Sequence, residues 1–285
     1  MFFSVKFHAT QWLIISGNLM SQKKHIWKDH RLPSIEIAQF GYDRISAEEK
    51  GTRVLRHFDG VASQYDLMNS VLSLGIHHLW KRKAIKTLGL YPGAYVLDVC
   101  GGTGDLSILA ARIVGPTGRV ILYDINEKMI SAGIDKMSRS REGNRITHVL
   151  GDAEHIAFPD QCFDATMVGF GIRNLVHMEE GFKEMYRVLK HGGKIMCLEF
   201  SKPTCVPFRW LYDMYSFYIM PFLGEIIVGN RQAYLHLPES IRTFPLPDEL
   251  ARMLENIGFK NVSYKKLTNG IAVIHTGVKF RVPPW

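Results

Sequence analysis

Cysteine is scarce in this sequence, and long apolar runs and low-complexity tracts are absent from it. The four cysteines, Cys100, Cys162, Cys197 and Cys205, lack the short C-x-x-C spacing of zinc and redox sites. No apolar run approaches the roughly 20 residues that a membrane span requires. We therefore predict buried, reduced thiols in a reducing compartment, no metal site and no membrane-spanning helix.

Acidic residues are also absent from the first 28 residues, which contain four lysines. A mitochondrial transit peptide is poor in acids too, but it is rich in arginine, and the first arginine here is Arg31. The apolar stretch Trp12–Ile15 is too short for a secretory signal, and Met20 is an alternative start. We expect residues 1–45 to form a flexible N-terminal extension and residues 46–285 to form a single domain.

The composition is otherwise that of a globular protein with an excess of basic residues. Of the 285 residues, 46% are hydrophobic and 22% are charged, and the net charge is +8. This is enough apolar material for one core. The positive charge fits a nucleic acid, an anionic membrane surface or an acidic ligand. Because no nucleic-acid-binding motif is present, we expect no nucleic-acid partner.

Apolar, β-branched runs alternate with helical stretches from about residue 95 onwards. We predict strands over residues 94–100, 119–124, 146–150, 165–170 and 194–200, and helices over 105–114, 126–137 and 179–189. Such alternation predicts an α/β fold with a mostly parallel sheet covered on both faces. The last two runs, 261–267 and 270–278, are close enough in sequence for a terminal antiparallel hairpin.

Two helical regions fall outside this alternation. Residues 51–90 are predicted to form helices before the sheet, and residues 205–242 a helical insertion between the fifth and sixth strands. Seven aromatic residues lie between Pro207 and Phe222. Aromatic side chains with polar groups suit an apolar channel with a wet mouth. Burial against the sheet or at a dimer contact explains them equally well.

The sharpest local feature is a glycine turn between the first strand and the first helix of the alternation. Gly101, Gly102 and Gly104 form this turn, and glycines let the backbone approach a ligand closely. Ligands of open α/β sheets bind at the carboxyl ends of the strands. Ser107 stands where the dinucleotide-binding motif needs a third glycine, so the turn alone does not predict a nicotinamide cofactor.

Carboxylates follow three of the predicted strands. Asp98 and Asp105 flank the glycine turn, Asp124 ends the second strand, and Asp152 with Glu154 follows the third. A diphosphate would be repelled there, whereas S-adenosylmethionine carries a sulfonium, an ammonium and no phosphate. Asp124 also has the spacing from the turn at which dinucleotide folds place a ribose-binding acid. We therefore predict that S-adenosylmethionine binds here; the alternative is that these acids cap helices.

Segments along roughly residues 52–280 resemble the ubiquinone/menaquinone biosynthesis C-methyltransferase family, in the same order. The matching segments are FDGVASQYDLMNSVLSLGIHHLWK (58–81), LDVCGGTGDL (97–106), YDINEKMI (123–130), GDAEHIAFPD (151–160), GFGIRNL (169–175), RVLKHGGKIMCLEFSKP (187–203), ESIRTFPLPDEL (239–250) and LTNGIAVIHTGVKF (267–280). The resemblance implies a Rossmann-like class I methyltransferase whose seven-stranded, mostly parallel sheet has an antiparallel last strand. It also implies S-adenosyl-L-methionine as cofactor and a prenylated quinol, of the demethylmenaquinol or methoxybenzoquinol type, as substrate.

The resemblance places cofactor contacts at Thr103, Asp124, Asp152 and Ala153. A family position that is often serine falls on Gly169, where only a backbone contact is available. Together with the glycine turn, the predicted cofactor-binding residues are Asp98, Gly101, Gly102, Thr103, Gly104, Asp124, Asp152, Ala153 and Gly169.

Candidate catalytic residues follow the fourth predicted strand. A quinol carbon becomes nucleophilic when a ring hydroxyl, with a pKa of about 10, loses its proton. Arg173 stays protonated, so it is predicted to stabilise the phenolate and not to act as the base. Asn174 would bind the other ring oxygen. The alternative for Arg173 is a surface salt bridge.

The general base is not identified by the sequence. Tyr65 and Asp66 are candidates, and Tyr65 is our choice for the catalytic set, although a packing role explains it equally well. His236 and His275 are weaker candidates, because His275 lies in an apolar strand. The family resemblance further implies substrate binding by Tyr234, Ser240 and Arg242 over the active site.

The lipid-soluble substrate predicts peripheral membrane association. The basic helix Ile76–Lys86 could touch anionic lipid, although a solvated face is the more common role of such a run. The sequence leaves open a homodimer or a quinone-biosynthesis complex. It also leaves open the bacterial cytoplasm, with membrane association, or the matrix face of the mitochondrial inner membrane.

Three other functions are alternatives to quinol methylation. A non-catalytic scaffold in a quinone-synthesis assembly could retain the cofactor pocket. A methyltransferase could act on another small aromatic substrate. A nicotinamide-dependent reductase is opposed by Ser107 and by the carboxylates.

Overall fold

The computed structural model describes residues 36–229 and 231–280 and begins with a two-stranded hairpin. β1 (Ile37–Phe40) pairs antiparallel with β2 (Asp43–Ser46). Phe40 stacks on the ring of His236, with 3.8 Å between the ring centroids. Most of the predicted extension, residues 1–35, lies outside the described residues. The compact unit begins at Glu36, and this hairpin packs against later helices.

Three helices precede the main sheet, as predicted for residues 51–90. They are α1 (Ala47–Val61), α2 (Tyr65–Leu72) and α3 (Ile76–Leu88). The Ser46 hydroxyl accepts a hydrogen bond from the Glu49 amide and so caps α1. Gly89, in the left-handed conformation, ends α3.

Seven strands form the main sheet in the order β5-β4-β3-β6-β7-β9-β8. Their bounds are β3 (Tyr95–Val99), β4 (Arg119–Asp124), β5 (Ile146–Leu150), β6 (Phe163–Gly169), β7 (Leu189–Phe200), β8 (Lys260–Leu267) and β9 (Ala272–Val278). The first five strands pair in parallel, and β9 runs antiparallel to both β7 and β8. The predicted fold, with its antiparallel last strand, is confirmed.

Helices cover both faces of this sheet. They are α4 (Asp105–Val114), α5 (Glu127–Arg139), α6 (Met178–Val188), α7 (Val206–Met214), α8 (Met220–Val228), α9 (Arg231–Thr243) and α10 (Pro247–Ile257). A single π-type turn, Tyr215–Ile219, joins α7 to α8. The predicted insertion follows β7, which is the fifth strand of the main sheet along the chain, and precedes β8. It is helical, as expected.

Two apolar clusters, one on each face of the sheet, form the core. One includes Val96, Leu122 and Met167, and the other includes Leu97 and Val168. This alternation along the strands is the pattern that a sheet buried on both faces requires. Within the described part of the chain, no helix is both long enough and apolar enough to cross a membrane.

The four cysteines are all free. Cys197 is buried, Cys100 and Cys162 are half-buried, and Cys205 is exposed. The expectation of burial is therefore wrong for Cys205, which lies at the start of α7 beyond the sheet. Burial and the neighbouring carboxylates Asp124 and Asp98 raise the pKa of Cys100, so this thiol stays protonated beside the glycine turn.

Candidate active site

A cavity of about 410 Å³ lies at the carboxyl ends of β3, β4 and β6 and is called the cofactor cavity here. Eight of the nine predicted cofactor-binding residues line it. Gly104 is the exception, because it caps α4 instead, with a φ of 83°. A Cβ there would lie 2.4 Å from the Met137 sulfur. Helix α1 forms a further wall, which the sequence did not predict.

The glycine turn brings the backbone close to its neighbours. A Cβ at Gly101 would lie 2.7 Å from Leu122 Cγ, so a side chain there would displace the strand behind it. The next residue, Gly102, has a φ of 55° and donates its amide hydrogen to Asp124 Oδ2 at 2.8 Å. The turn is therefore tied directly to the acid at the end of β4.

Asp98 is almost fully buried beneath this turn. Its Oδ2 accepts a hydrogen bond from the Ser107 hydroxyl at 2.6 Å, whereas its Oδ1 has no partner. Burial, with a smaller contribution from the charge of Asp124, raises the pKa of Asp98 to about 7. A cationic ligand in the cavity would stabilise the ionised carboxylate.

Asp124 already accepts two backbone hydrogen bonds. Besides the bond from Gly102, its Oδ1 accepts from the Asn126 amide at 2.8 Å. Burial raises the pKa of Asp124, and these backbone bonds partly offset the rise. Each carboxylate oxygen has a second lone pair, which leaves acceptor capacity for two hydroxyl donors of a bound ligand.

The other acids of the predicted set have different roles. Asp152 lines the cavity and is half exposed. Glu154 accepts hydrogen bonds from the backbone amides of Val176 and His177, at 2.7 and 2.9 Å, and pairs with the His177 imidazole at 2.6 Å. It therefore holds the loop after β6 in place, which is closer to the capping role that we kept as the alternative.

Asp105 is part of a charged network in the wall of the cofactor cavity. It pairs with Lys81 at 2.7 Å and with Lys136 at 2.6 Å. Although burial alone would raise it, these two cations hold the pKa of Asp105 below its ordinary value. Ligand atoms of His77, His78 and Asp105 lie within 4.8 Å of one another. Because its two lysines already neutralise Asp105, this group does not fit a metal ion.

The same network reaches the predicted residues Thr103 and Asp66. The Thr103 hydroxyl donates to Asp66 Oδ1 at 2.6 Å, and Lys136 donates to Asp66 Oδ2 at 2.6 Å. Asp66 is therefore occupied at the base of the glycine turn and faces Lys136. This position does not suit a general base for a ring hydroxyl.

A second cavity, of about 500 Å³, adjoins the first and is called the apolar cavity here. Its walls come from α1, α2, α3, α7, the π-type turn and α9, and most of the lining residues are apolar or aromatic. Phe58, Tyr65, Lys81 and Phe170 line both cavities. We call these four residues the shared wall, since the two cavities meet there.

Arg173 lines the apolar cavity, and only 8% of its side chain is exposed. It donates to the buried carboxylate of Glu199 at 3.0 Å and to the carbonyl oxygen of Phe170, and it lies over the Phe200 ring. The alternative of a surface salt bridge is wrong, because the ion pair is buried. Burial raises the pKa of Glu199, and Arg173 offsets part of that rise.

Asn174 and Tyr65 differ in the cavities that they line. Asn174 lines the cofactor cavity and not the apolar cavity, and its buried side-chain nitrogen has no hydrogen-bond partner. Tyr65 lines both cavities. The predicted catalytic residues are thus brought close to the shared wall, although Asn174 and Arg173 line different cavities.

His57 is a lining residue that the sequence analysis missed. It lies in the apolar cavity, and burial together with the charge of Arg173 lowers the pKa of His57 to about 4. Its ring is therefore neutral near pH 7 and resists protonation. His57 stands alone in a helix without a motif, so only its proximity to Arg173 identifies it.

The two other histidines that we considered as bases lie elsewhere. His236 packs edge-on against His57, with 5.6 Å between the ring centroids, and is not part of either cavity's lining. His275 is buried in β9 and pairs with the carbonyl oxygen of Pro247 at 3.0 Å. Neither histidine lines the cavity that contains Arg173.

Only one of the three predicted substrate-binding residues lines the apolar cavity. Tyr234 lines the apolar cavity, and burial raises its pKa to about 12. Ser240 lies behind the cavity, where its hydroxyl accepts a hydrogen bond from Arg173 Nε at 3.4 Å. Arg242 lines neither cavity; it pairs with Asp213 and lies 4.2 Å from the Phe217 ring centroid. Sequence position within α9 could not reveal which way each side chain points.

Two buried polar atoms without hydrogen-bond partners indicate which kind of ligand suits the cofactor cavity. Asp98 Oδ1 and Asn174 Nδ2 are buried and unpartnered, so the cavity offers one free anionic acceptor and one free donor. Asp124 adds acceptors for hydroxyl groups, and Asp152 adds a third carboxylate. These residues fit a ligand that carries ribose hydroxyls and a positive charge.

Comparison with known proteins gives one consistent result. A model of the ubiE/COQ5 methyltransferase family matches residues 46–279. The ubiquinone/menaquinone biosynthesis C-methyltransferase UbiE of Haemophilus ducreyi is 46% identical over 245 residues, which cover 86% of this chain and 95% of that protein. The UbiE protein of Stutzerimonas stutzeri is 45% identical over 240 residues, which cover 84% of this chain and 94% of that protein.

A solved structure supports the fold. Phosphoethanolamine N-methyltransferase 2 of Haemonchus contortus, in complex with S-adenosyl-L-methionine, is similar with a TM-score of 0.52. The two chains are 16% identical, and the match covers 71% of this chain and 52% of that chain.

Proposed function

Because the chain belongs to the ubiE/COQ5 methyltransferase family, we propose that it methylates a ring carbon of a prenylated quinol in ubiquinone or menaquinone biosynthesis. S-adenosylmethionine is the methyl donor, and when bound it supplies an electrophilic methyl group on a positively charged sulfur. The observation that carries the proposal is the shared wall, where an acid-lined cavity meets an apolar one. This arrangement suits two ligands of opposite polarity that must react with each other.

We assign the cofactor to the residues that line the cofactor cavity. Asp124 would accept hydrogen bonds from the ribose hydroxyls, and Asp98 would face the positive charge. The amides of the glycine turn and the residues Thr103, Asp152, Ala153 and Gly169 complete the set. At Gly169 a Cβ would lie 2.5 Å from Leu106 Cδ1, so Leu106 occupies the space that a serine side chain would need.

We assign the quinol ring to the apolar cavity beside Arg173. The guanidinium stays charged, and in a water-poor site it would stabilise the phenolate by several kcal/mol. His57 lines the same cavity with a neutral imidazole, which can hydrogen-bond a ring hydroxyl but is too weak a base to take its proton. The Tyr65 hydroxyl, on the shared wall, would orient the ring, and Asn174 would orient the cofactor.

Peripheral membrane association belongs to the same proposal, because a prenyl tail partitions into lipid. A homodimer or a quinone-biosynthesis complex stays a prediction of the sequence. So does the compartment, cytoplasmic or at the matrix face of the mitochondrial inner membrane.

A transfer assay tests the proposed reaction. Purified protein, labelled S-adenosylmethionine and either demethylmenaquinol or the methoxybenzoquinol should yield product labelled on a ring carbon. The matched control is the oxidised quinone of each substrate, which has no hydroxyl to ionise and should remain unlabelled. Label on oxygen, or no transfer to either quinol, would reject the proposal and favour another aromatic substrate or a scaffold.

The pKa of Asp98 predicts how cofactor affinity depends on pH. The positively charged cofactor prefers the ionised carboxylate, and Asp98 takes up a proton as the pH falls through about 7. Affinity should therefore weaken from about pH 8 to about pH 6, by at most about tenfold per pH unit. Calorimetry at several pH values measures this change.

The Asp98→Asn variant is the control, because it keeps every other titrating group of the cavity. Its overall affinity should be lower, and its pH dependence flatter than that of the wild-type protein. Equal pH dependence in both proteins would remove Asp98 from the cofactor's electrostatic environment.

A further inference from the structure

The helix over residues 206–228 exposes an apolar stripe that nothing in the chain covers within the described residues. Its members recur at every fourth position and are exposed by between 41% and 72%. They are Val206, Trp210, Met214, Tyr218, Phe222 and Ile226. Surface helices normally turn polar residues to water, and monomeric proteins rarely leave large contiguous apolar patches exposed.

The π-type turn helps to keep this stripe on one side. In an α-helix, a step of four residues drifts by about 40° around the axis, so a strict period of four would wind around the helix. The turn Tyr215–Ile219 is wider than an α-helical turn and takes up part of that drift. The stripe therefore remains one surface over both α7 and α8.

The mouth of the apolar cavity opens beside this stripe. Five residues line the cavity and are also exposed: Leu74, Ile76, Leu211, Met214 and Ile219. Part of the apolar lining thus reaches the outer surface. The long apolar tail of a ligand could extend along these side chains from the cavity to the surface.

Leu74 is the most exposed member of this mouth. It is 85% exposed and has a φ of 49°, in the left-handed region that leucine rarely adopts. The conformation belongs to the end of α2, where the Leu74 amide donates to the Val71 carbonyl oxygen and the Gly75 amide donates to the Ser70 carbonyl oxygen. It turns the Leu74 side chain outward, where contact with an apolar phase outside the protein would remove it from water.

Positive charge continues from the mouth along α3. Ile76, Leu79, Lys83 and Lys86 are spaced three and four residues apart and so share one exposed helix face. Arg82 is exposed next to them, and the helix contains no acidic residue. This face attracts anionic headgroups, whereas a second copy of the chain would bring the same positive charge against it.

We propose that the stripe, the cavity mouth and the basic face of α3 together seat the protein on the surface of a lipid bilayer that contains anionic lipid. We call this combined surface the docking face. The mouth would then open into the acyl layer, from which the tail of the substrate passes directly into the apolar cavity. The inference rests on the proposed function only for the identity of that substrate.

Vesicle flotation tests the docking face with the full-length protein. Wild-type protein should bind vesicles of phosphatidylcholine and phosphatidylglycerol. The double variant Trp210→Glu/Phe222→Glu, whose residues do not line the cavity, should lose at least about tenfold in affinity. Ile134→Glu, at an apolar position that is 43% exposed on α5, is the matched control and should bind as the wild type does.

A second pair of variants tests the charge. Lys83→Gln/Lys86→Gln should weaken binding by about fivefold per lysine at low salt. The control Lys265→Gln/Lys266→Gln, at exposed positions on β8, should not. Wild-type protein that fails to bind vesicles, or variants that bind as well as their controls, would overturn the proposal.

Activity separates this inference from the proposed function. With a short-tailed quinol in solution, the Trp210→Glu/Phe222→Glu variant should turn over as fast as the wild type, whereas with a long-tailed quinol in vesicles it should be slower. Absence of methylation in solution by either protein would reject the proposed function and leave the vesicle result intact. A wild-type dimer that this variant splits, with vesicle binding unchanged, would identify the stripe as a self-association surface and reject the docking face.

Discussion

Replacing Arg173 by alanine is expected to lower turnover by about 100- to 1000-fold, the loss typical for removal of an oxyanion-stabilising donor. The affinity for S-adenosylmethionine should change by less than about twofold, because Arg173 lines the apolar cavity and not the cofactor cavity. Single-turnover methylation and calorimetry measure the two quantities separately. A uniform binding role would instead change KM and leave kcat intact.

The Arg173→Ala change also removes one partner of the buried ion pair with Glu199, which affects the stability of the variant. Arg173→Ala leaves Glu199, which is 1% exposed, without its cation, and breaking a buried pair costs about 3–5 kcal/mol of stability. The double variant Arg173→Met/Glu199→Gln removes both charges and should regain stability. If Arg173 acts on the phenolate, turnover remains low in this stable protein. Turnover near the wild-type level in either variant would remove Arg173 from the mechanism.

Replacing Asp124 by alanine should weaken S-adenosylmethionine binding by about 10- to 100-fold. Hydrogen bonds to a charged acceptor contribute about 1.5–3 kcal/mol, and the ribose would lose this acceptor. The variant also frees the amides of Gly102 and Asn126, which Asp124 now binds at 2.8 Å. The glycine turn would therefore lose part of its preorganised shape as well.

Calorimetry with S-adenosylmethionine measures this loss, and a thermal melt shows whether the fold survives. Asp135→Ala is the matched control, since Asp135 is an exposed acid on α5 that lines neither cavity. It should bind the cofactor as the wild type does. Unchanged affinity in a folded Asp124→Ala protein would contradict the role of this carboxylate.

Local sequence patterns predicted most of the sheet. The bounds of β4, β5 and α4 agree with the prediction because each is an apolar run that ends at charged residues or glycines. β7 begins at Leu189, five residues before the predicted start, since Gly192 and Gly193 interrupt its apolar pattern. The hairpin of β1 and β2 was missed because the N-terminal residues were excluded from the fold prediction.

The site was predicted less completely, because its partners come from distant parts of the chain. The carboxylates after the strands were recognised together, but Glu154 binds a loop more than 20 residues later. Glu199 and His57 have no motif around them, so their link to Arg173 appears only in three dimensions. Arg242 shares a helix with Tyr234, yet its side chain turns to Asp213. Sequence spacing identifies the element and leaves the direction of each side chain open.

The hydrogen bonds of Glu154 are part of a network that joins loops from distant parts of the chain. Its carboxylate fixes Val176 and His177, His177 Nε2 reaches Glu36 at 2.8 Å, and Lys50 from α1 donates to the Leu175 carbonyl oxygen. Loops after two separate strands and the start of the described chain are thereby fastened to one another. Two members of this network, Glu36 and Lys50, line neither cavity, yet they hold the loop that directly follows Arg173. A mutational screen confined to the cavity walls would overlook these two residues.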